Sequence, residues 1–512
     1  MPAVWFDCES KFKSKENNTV VIYSSVRDEP CGVWFAIARK AKFPVLGKIY
    51  DQVILIDCGL GFAPEITFDS EVNLYNAEAE MEAKFLCGLV ANSRIARVVV
   101  LGTHGHLDHF TGLNIFSKMV NIEFYGTWFT NECIDRHFTK QKEHINFKMH
   151  ELCGLAGHLE IDEFILDWFR MSHSCPGAVS TIIQTKRNDK SGMMKILLLG
   201  EMRLPDLPFE IGTTDAALKV IEDNGPYDWV FYDGLYLNKT GNAVGEEAVR
   251  IPVRKLLCHS DIPGHILTSY ISSKVGLTMI FMEEAYAAGW AFLSYGTTMN
   301  DIINLSRIPG WLPPKEFPEG EEYRIFKVAT GSQAEQGSIM KRLVEGDATC
   351  PLKTDEKTTV LWSQGTIPDN IRRVRWMLKE LAQKVFMILI PNQELRRLKL
   401  VGSANIVSLE EFLGEEELIQ MPSGHEQFDG WEFILSKTKT PRENCYAYQV
   451  VEPRQKQKYD PYLMMEDAAI EKAKIDREMA RLAAEEEVRD QKLAEFEALK
   501  SSAADQLQKL IE

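Results

Sequence analysis

The segment GTHGHLDHFTGL, residues 102–113, constrains the fold and the chemistry of this chain more than any other stretch. It continues RVVVLG (97–102), a short apolar run rich in β-branched residues that predicts a buried strand closed by glycine. The loop after that strand carries four candidate metal ligands: His104, His106, Asp108 and His109. Because only 11 of the 512 residues are histidine, this cluster favours a metal site over an ordinary polar surface loop.

The spacing within this loop leaves room for two metal ions. His104 and His106 point the same way, whereas Asp108 and His109 can reach a second ion. Imidazole and carboxylate groups bind zinc or manganese at neutral pH. Two cations about 4 Å apart can hold a hydroxide between them and neutralise a phosphodiester during in-line attack. The loop therefore predicts metal-assisted hydrolysis.

Further apolar runs predict an α/β fold. Residues 53–60 and 195–200 have the same character as the strand before the metal loop. From about residue 212 strands and helices alternate regularly, with strand-like runs at 229–234, 265–270, 326–331 and 358–368 and helix-like segments at 275–289, at 335–345 and from about 370. This alternation predicts layered α/β architecture, with a separate parallel-sheet unit inserted in the first domain.

The composition is that of a globular protein with more than one core. Hydrophobic residues make up 45% of the chain and charged residues 26%. A length of 512 residues predicts two domains and an appendage. The net charge of -16 means that any binding of nucleic acid needs a local basic patch or bound cations.

Cysteine usage favours a cytoplasmic location. The ten cysteines are scattered and form no Cys-x-x-Cys pair, which is typical of reduced thiols in a cytosolic protein. The N-terminus has no basic segment followed by an apolar one, so no signal peptide is predicted. No run of about 18 apolar residues occurs, so no membrane partner is predicted either.

The last segment, 464–512, is rich in Ala, Glu, Lys, Arg and Gln and contains neither Gly nor Pro, which predicts one long helix. Its apolar residues follow a 3-4 spacing that polar residues interrupt at Glu486, Arg489 and Lys500. Two interpretations stay open. The helix could form a coiled coil that makes a homodimer, or it could pack on its own chain.

The pattern His-x-His-x-Asp-His is similar to the signature of the metallo-β-lactamase superfamily, and the sequence around it resembles the ribonuclease J family. Eight further segments resemble that family in the same order: ILIDCGLGFAPE (54–65), YGTWFT (125–130), MSHSCPGAV (171–179), YDGLYLNKTG (232–241), SYGTTMNDIINLSRIPGWL (294–312), ATGSQAEQ (329–336), SQGTIPDN (363–370) and PSGH (422–425). A single motif would be weak, but an ordered series from about residue 50 to 430 is strong.

The resemblance implies an αββα metallo-β-lactamase sandwich built from residues 1–211 and 371–463. A β-CASP-like α/β domain, residues 212–370, would be inserted in it, and the cleft between them would hold the metals and admit single-stranded nucleic acid. The implied activity is hydrolysis of RNA by hydroxide attack in a His/Asp/Glu metal site, as a 5′-to-3′ exonuclease or an endonuclease. The implied cofactor is two zinc ions, with manganese or magnesium as alternatives, and DNA is an alternative substrate.

The resemblance also assigns roles to individual residues. It places His104, His106 and His173 on the first metal, Asp108 and His109 on the second, and Glu201 between them. Catalytic roles fall to Asp108, to Asp57 as the residue that orients the histidines, to Asp233 at the start of the inserted domain, and to His425 as proton donor or phosphate contact. The implied donors to substrate phosphates are Thr330, Gly331, Ser332, Ser423 and Gly424. Each of these residues has a structural alternative, such as a hydrogen-bonded core histidine or a carboxylate at a strand end.

Three features depart from the family pattern. Residues 1–50 lack a recognisable glycine-rich segment, and Glu201 stands where the family has an aspartate. The family's last metal-binding histidine has no counterpart, because no histidine follows His425. Four residues are candidates to replace it: Glu443, Tyr446, Tyr448 and Gln449. The second metal could therefore bind weakly, be a harder ion, or be absent.

These departures keep two other functions open. The chain could be a degenerate member that serves as an RNA-binding or assembly protein, or it could hydrolyse another ester or a small phosphodiester. The segment 371–400, rich in arginine and lysine, could line a nucleic-acid channel or could be a solvated helix face.

Overall fold

The computed structural model describes residues 20–448 of the chain, apart from 25–32, 34, 46–47, 60–86, 89, 92, 94–96, 188–190, 238, 304–322, 336, 367–369, 416–418 and 421. The predicted C-terminal helix, 464–512, and the homodimer based on it lie outside the described residues.

The first sheet has six strands, paired in chain order. These are β1 (Val20–Ser24), β2 (Phe35–Val45), β3 (Lys48–Ile56), β4 (Arg97–Leu101), β5 (Asn121–Gly126) and β6 (Lys148–Glu151). The pairs β1/β2 and β2/β3 are antiparallel, and β3 to β6 run parallel. The parallel strands therefore bring their carboxyl ends to one edge of the sheet.

The second sheet also has six strands, in the order β18-β11-β10-β9-β8-β7. These are β7 (Ala156–Ile161), β8 (Phe164–Arg170), β9 (Val179–Lys186), β10 (Met193–Leu198), β11 (Trp229–Asp233) and β18 (Cys445–Tyr448). β10, β11 and β18 are parallel, whereas β7 to β10 are antiparallel neighbours. The last strand of the described chain thus returns to a sheet that begins some 290 residues earlier in the sequence.

The two sheets pack face to face and carry helices on their outer faces. Along β4, Val99 and Leu101 join the core between the sheets, whereas Val98 and Val100 face the outer layer, as the alternation of a strand requires. On the first sheet that layer contains α1 (Leu113–Ser117) and α2 (Trp128–Lys140), and on the second α3 (Thr213–Asn224) and α11 (Phe428–Lys437). The predicted αββα sandwich is confirmed.

A third sheet of six parallel strands has the order β13-β14-β12-β15-β16-β17. Its strands are β12 (Ile266–Ser269), β13 (Ala291–Tyr295), β14 (Ile325–Ala329), β15 (Thr359–Trp362), β16 (Met387–Ile390) and β17 (Ile406–Ser408). Its helices are α4 (Arg250–Leu257), α5 (Val275–Ala287), α6 (Thr297–Ile303), α7 (Ile339–Glu345), α8 (Ile371–Leu381), α9 (Asn392–Arg397) and α10 (Leu409–Leu413). α4, α5, α6 and α10 pack on one face and α7, α8 and α9 on the other. The predicted parallel-sheet insertion is therefore present.

The strand pairing does not coincide with the predicted domain boundaries at 212 and 370. β11, residues 229–233, pairs within the second sheet of the sandwich, and α3 packs on that sheet. α8, β16 and β17, which follow residue 370, belong to the third sheet. A buried apolar strand such as WVFYD fits any sheet covered on both faces, so its sequence does not tell which sheet it joins.

No helix in the part of the chain that the structure describes is long and apolar enough to cross a membrane.

A buried ion pair joins the sandwich to the inserted unit. Arg203 follows β10, and Glu246 lies in the turn that precedes α4; neither side chain is exposed. Nη1 of Arg203 donates to Oε1 of Glu246 at 3.0 Å and to the carbonyl of Ser423 at 2.7 Å. Because each charge is shielded from water, loss of either partner leaves the other uncompensated.

We expect Glu246→Ala to lower the free energy of unfolding by about 3–5 kcal/mol, because it leaves the buried Arg203 guanidinium without its charged partner. Glu247→Ala is the matched control, since that neighbouring carboxylate is 57% exposed and pairs with Arg250 at the surface. Its cost should stay below about 1 kcal/mol. Urea denaturation of the two variants measures the difference, and equal midpoints would contradict the assignment.

Candidate metal centre

The predicted metal ligands converge at one edge of the sandwich, where strands of both sheets end. Asp57 follows β3 and His104 follows β4, in the first sheet. Glu201 follows β10, and Asp233 is the last residue of β11, in the second sheet. His173 lies in the loop between β8 and β9. Residues far apart in sequence therefore meet because parallel neighbours end together.

The turn after β3 holds the metal loop by backbone contacts. The N–H of Cys58 donates to the carbonyl of His109 at 2.8 Å, and that of Val33 donates to the carbonyl of Asp108 at 2.7 Å. A Cβ on Gly59 would lie 1.5 Å from the same Asp108 carbonyl oxygen, so only glycine permits this approach. Main-chain contacts thus fix the geometry of the loop independently of the side chains that could bind a metal.

Asp57 connects this turn to the histidines. It has a positive φ of 58° and is 2% exposed. Its Oδ1 accepts a hydrogen bond from the Thr103 N–H at 2.7 Å, and its Oδ2 accepts from the Thr103 hydroxyl at 2.7 Å. The same Oδ2 lies 2.8 Å from Nδ1 of His109. This contact favours a proton on Nδ1 of His109, and it orients the ring so that Nε2 faces the other donors of the site.

Three histidine nitrogens and one carboxylate oxygen form a first donor set. Nδ1 of His106 lies 3.0 Å from Nε2 of His104 and 3.2 Å from Nε2 of His173. Oε2 of Glu201 lies 3.6 Å from Nε2 of His104 and equally far from that of His173. Ligands about 2.0–2.1 Å from a tetrahedral zinc lie roughly 3.3 Å from each other, so this set has the dimensions of a zinc site.

Burial keeps the imidazoles of the first set neutral. It lowers the pKa of His106 to about 3. It also lowers the pKa of His104 and of His173 well below the ordinary value, and the neighbouring imidazoles add to this effect. Neutral imidazoles offer lone pairs, which is the protonation state that metal binding requires. The chemistry of the donors therefore fits a divalent cation.

Glu201 also faces a second donor set. Its Oε1 lies 2.9 Å from Nε2 of His109, and Oδ2 of Asp108 lies 4.0 Å from the same nitrogen. One carboxylate thus stands between the two sets, at the position where the resemblance implies a bridging ligand. The second set contains three donors, one fewer than a closed tetrahedral zinc site.

Two members of the second set, His109 and Glu201, carry charge. Burial alone would lower the pKa of His109, but the carboxylates of Glu201, Asp57 and Asp108 raise it well above the ordinary value. Burial would raise the pKa of Glu201, but His425 and His109 lower it well below the usual range. A cation that enters this set must therefore displace a proton from His109.

Among the described candidates to replace the missing histidine, Tyr448 is paired with a residue of the site. It ends β18 opposite Asp233 of β11 and is 6% exposed. Burial, together with the negative charges of Asp233 and Glu201, raises the pKa of its phenol well above 10, so the group stays protonated. The Tyr446 hydroxyl instead donates to the carbonyl of Glu443, and Glu443 itself is exposed. Gln449 lies outside the described residues.

His425 lies beside the metal centre in a loop that contacts both units. Its Nδ1 lies 2.7 Å from Oδ2 of Asp233. Burial alone would lower its pKa, but Glu201 and Asp233 raise it to about 9. Ser423 accepts a hydrogen bond from the His425 N–H at 3.1 Å, and the Gly424 carbonyl lies 2.6 Å from Nδ1 of His173. These two predicted substrate contacts therefore also shape the site itself.

The other three predicted substrate contacts lie in the inserted unit. Thr330, Gly331 and Ser332 follow β14 at the carboxyl edge of the third sheet. Ser332 is buried and accepts a hydrogen bond from Nε2 of Gln364 at 2.6 Å. No hydrogen bond among the described residues joins these three to the metal ligands, so their role in substrate binding stays a prediction.

Sequence reasoning missed several polar residues at this edge. Thr103 was not singled out, although it lies inside the metal loop and bonds Asp57. Lys274, which precedes α5, donates from Nζ to the carbonyl of Pro422 at 3.2 Å. Tyr236 places its ring 5.5 Å from that of His425. A lone lysine or tyrosine carries no spacing signal, so only the fold reveals these contacts.

The basic segment 371–400 was predicted to line a nucleic-acid channel or to be a solvated helix face, and its residues do not all fit the same alternative. Helix α8 buries Val374 and Met377 against the third sheet and exposes Arg372 and Lys379, as a solvated face would. Arg397, at the end of α9, instead lies close enough to Tyr236 for its charge to oppose the rise that burial causes in the pKa of that phenol.

Comparisons with known proteins agree with the resemblance. No family model matches the chain. It is 22% identical over 356 residues to ribonuclease J of Sinorhizobium meliloti, and the match covers 67% of this chain and 59% of that protein. Ribonuclease J of Thermus thermophilus is 24% identical over 369 residues, which cover 67% of this chain and 59% of that protein. The chain thus spans less than two-thirds of the length of these relatives.

One solved structure shares the fold over most of its length. The crystal structure of a protein of unknown function from Enterococcus faecalis V583 superposes with a TM-score of 0.54 at 15% identity. The match covers 86% of this chain and 96% of that protein. The sandwich and its insertion therefore form an architecture that this remote protein shares.

We expect zinc affinity to rise with pH, by up to about tenfold per unit while His109 is protonated, because one proton must leave before the metal binds. The raised pKa of His109 places this dependence across neutral pH. Competition with a chromophoric chelator at pH 6, 7 and 8 measures it. Asp57→Asn, which removes a carboxylate that raises this pKa, should flatten the slope. Constant affinity across this range would contradict the expectation.

Proposed function

We propose that the protein is a metal-dependent hydrolase that cleaves phosphodiester bonds of single-stranded RNA. The observation that carries the proposal is the position of Glu201, whose two carboxylate oxygens face two separate sets of metal donors. A pair of cations bridged by one carboxylate suits phosphodiester hydrolysis better than a single structural metal does. Zinc fits the nitrogen-rich first set, and manganese or magnesium are alternatives for the second.

The choice of RNA rests on the relatives. The two that match over two-thirds of this chain are named ribonuclease J. Hydrolysis in either the 5′-to-3′ exonuclease or the endonuclease mode is consistent with that name, and DNA is the alternative substrate. Lys274 of the inserted unit donates to the carbonyl of Pro422 and is close enough to His106 for its charge to act on that imidazole, so a polymer at the metal centre would contact both units.

The chain's own residues supply ligands, orientation and proton transfer. His104, His106, His173 and Glu201 would hold one cation, and Asp108 and His109 with Glu201 would hold the other. When bound, these cations would neutralise charge on the phosphate and lower the pKa of water. Asp57 fixes the ring of His109 through Nδ1.

His425 is positioned to act as the general acid. Its Nδ1 is bound to Asp233, which leaves Nε2 as the free nitrogen. Because its pKa is about 9, the imidazole carries two protons at neutral pH and can deliver one from Nε2 to the leaving oxygen. The side chain is 19% exposed, so it is accessible from solvent.

A second function is favoured by one observation. The second donor set has only three members, and the phenol of Tyr448 stays protonated. If that cation is not held, the chain would bind RNA without cutting it, as an RNA-binding or assembly protein.

Cleavage of 5′-monophosphorylated single-stranded RNA tests the proposal, with matched DNA and with zinc, manganese and magnesium added separately. We expect wild type to cleave RNA and His104→Ala/His106→Ala to lose at least about 10³-fold in rate, since metal-assisted attack supplies several kcal/mol. His158→Ala is the control, because that histidine is 52% exposed and belongs to neither donor set. RNA binding without cleavage under all three metals would support the second function.

Replacement of the general acid should separate chemistry from binding. We expect His425→Gln to lower kcat by about 10²–10⁴-fold with little change in KM, because proton donation occurs only in the transition state. Single-turnover rates measured from pH 6 to 10 test this. Wild-type activity should fall at alkaline pH, as His425 loses its proton, and this fall should be absent in the variant. A variant with the wild-type pH profile would refute the assignment.

A further inference from the structure

An aromatic ring with two cations lies next to the metal centre and has no role in the chemistry described above. Tyr236 follows β11, and its ring centroid is 5.5 Å from that of His425, at an interplanar angle of 74°. The N–H of Lys239 donates to the carbonyl of Tyr236 at 2.9 Å, so a tight turn sets the spacing of the two side chains. Nζ of Lys239 lies 3.4 Å from the centroid of the Tyr236 ring.

Arg397 of the inserted unit supplies the second cation. It is 38% exposed, and Nη1 lies 3.6 Å from Oε2 of Glu394. The other oxygen of Glu394 accepts a hydrogen bond from the N–H of Thr366 at 2.8 Å. Arg397 lies close enough to Tyr236 for its charge to oppose the rise that burial causes in the pKa of that phenol.

The charges of Lys239 and Arg397 act on each other. Burial of the ammonium and the charge of Arg397 lower the pKa of Lys239 to about 8, although the residue keeps solvent-exposed surface. Glu394 acts in the opposite direction and offsets part of the repulsion between the two cations. In a chain with a net charge of -16, a lysine that lies over an aromatic ring is an arrangement suited to a phosphate and a base.

We propose that Tyr236 and Lys239, with Arg397 nearby, form a nucleotide subsite beside the scissile phosphate, in which the base stacks on the Tyr236 ring and the next phosphate binds the Lys239 ammonium. The inference deepens the proposed function and rests on it. Stacking on tyrosine is tolerant of base identity, because every base has a π face. A base displaces the flexible Lys239 side chain from the ring, and its ammonium then contacts the phosphate.

Stacking implies that the Tyr236 ring recognises the base and not the backbone. Fluorescence anisotropy in EDTA, which prevents cleavage, compares a labelled single-stranded RNA octamer with an abasic ribose-phosphate octamer of equal length. We expect Tyr236→Ala to weaken RNA binding by about 5- to 100-fold and to leave binding of the abasic octamer unchanged. Tyr236→Phe, which keeps the ring, should bind RNA within about twofold of wild type. Lys239→Ala and Arg397→Ala should weaken both octamers and reduce the salt dependence of binding.

The chain provides a matched control on α11. Nζ of Lys437 lies 5.5 Å from the ring of Phe433, which is 46% exposed. Phe433→Ala and Lys437→Ala remove a similar pair away from the metal centre and should leave both affinities unchanged. Equal loss of RNA and abasic binding in Tyr236→Ala, or no loss of either, would overturn the subsite. A wild type that binds no RNA would overturn the subsite and the proposed function together, whereas base-dependent loss in a protein that never cleaves RNA would sustain the subsite alone.

Discussion

Buried negative charge is the constraint on which the rest of this site depends. Asp57, Glu201 and Asp233 are at most 2% exposed, and a carboxylate shielded from water must be paired. Of the five imidazoles at the site, two have a raised pKa, those of His109 and His425, and the other three are neutral. The three buried carboxylates therefore outnumber the charged imidazoles, and divalent cations would balance the remaining negative charge. The need to pair buried carboxylates therefore accounts both for the contacts between side chains at this edge of the sandwich and for the proposed binding of metal ions.

Much of the fold could be predicted because its signals are local. The strands entering the metal loop and Glu201 are short apolar runs, and β4 and β10 lie where these runs predict them. The helix predicted at 275–289 is α5, residues 275–287, and the helix from about 370 is α8. The histidines follow one strand directly in sequence, so the loop that carries them was visible without the fold.

The features that the sequence did not reveal depend on the pairing of strands that are far apart in the chain. β11 pairs with β10 and with β18, some 210 residues later, and no local pattern distinguishes this sheet from the inserted one. The predicted boundaries at 212 and 370 therefore differ from those of the sheets. Tyr236 and Arg397 are likewise ordinary residues in sequence, and only the fold brings Arg397 close enough for its charge to act on Tyr236. The roles of the individual ligands stay predictions.

The loop that carries His425 is held from two sides. Lys274, at the start of a helix in the inserted unit, donates to the carbonyl of Pro422, and Arg203, which follows a strand of the sandwich, donates to the carbonyl of Ser423. The same loop is bound at further points, because the Gly424 carbonyl lies 2.6 Å from Nδ1 of His173 and the Glu426 N–H donates to the carbonyl of Met202 at 3.0 Å. A shift of the inserted unit against the sandwich would therefore disturb the loop directly beside the candidate metal centre.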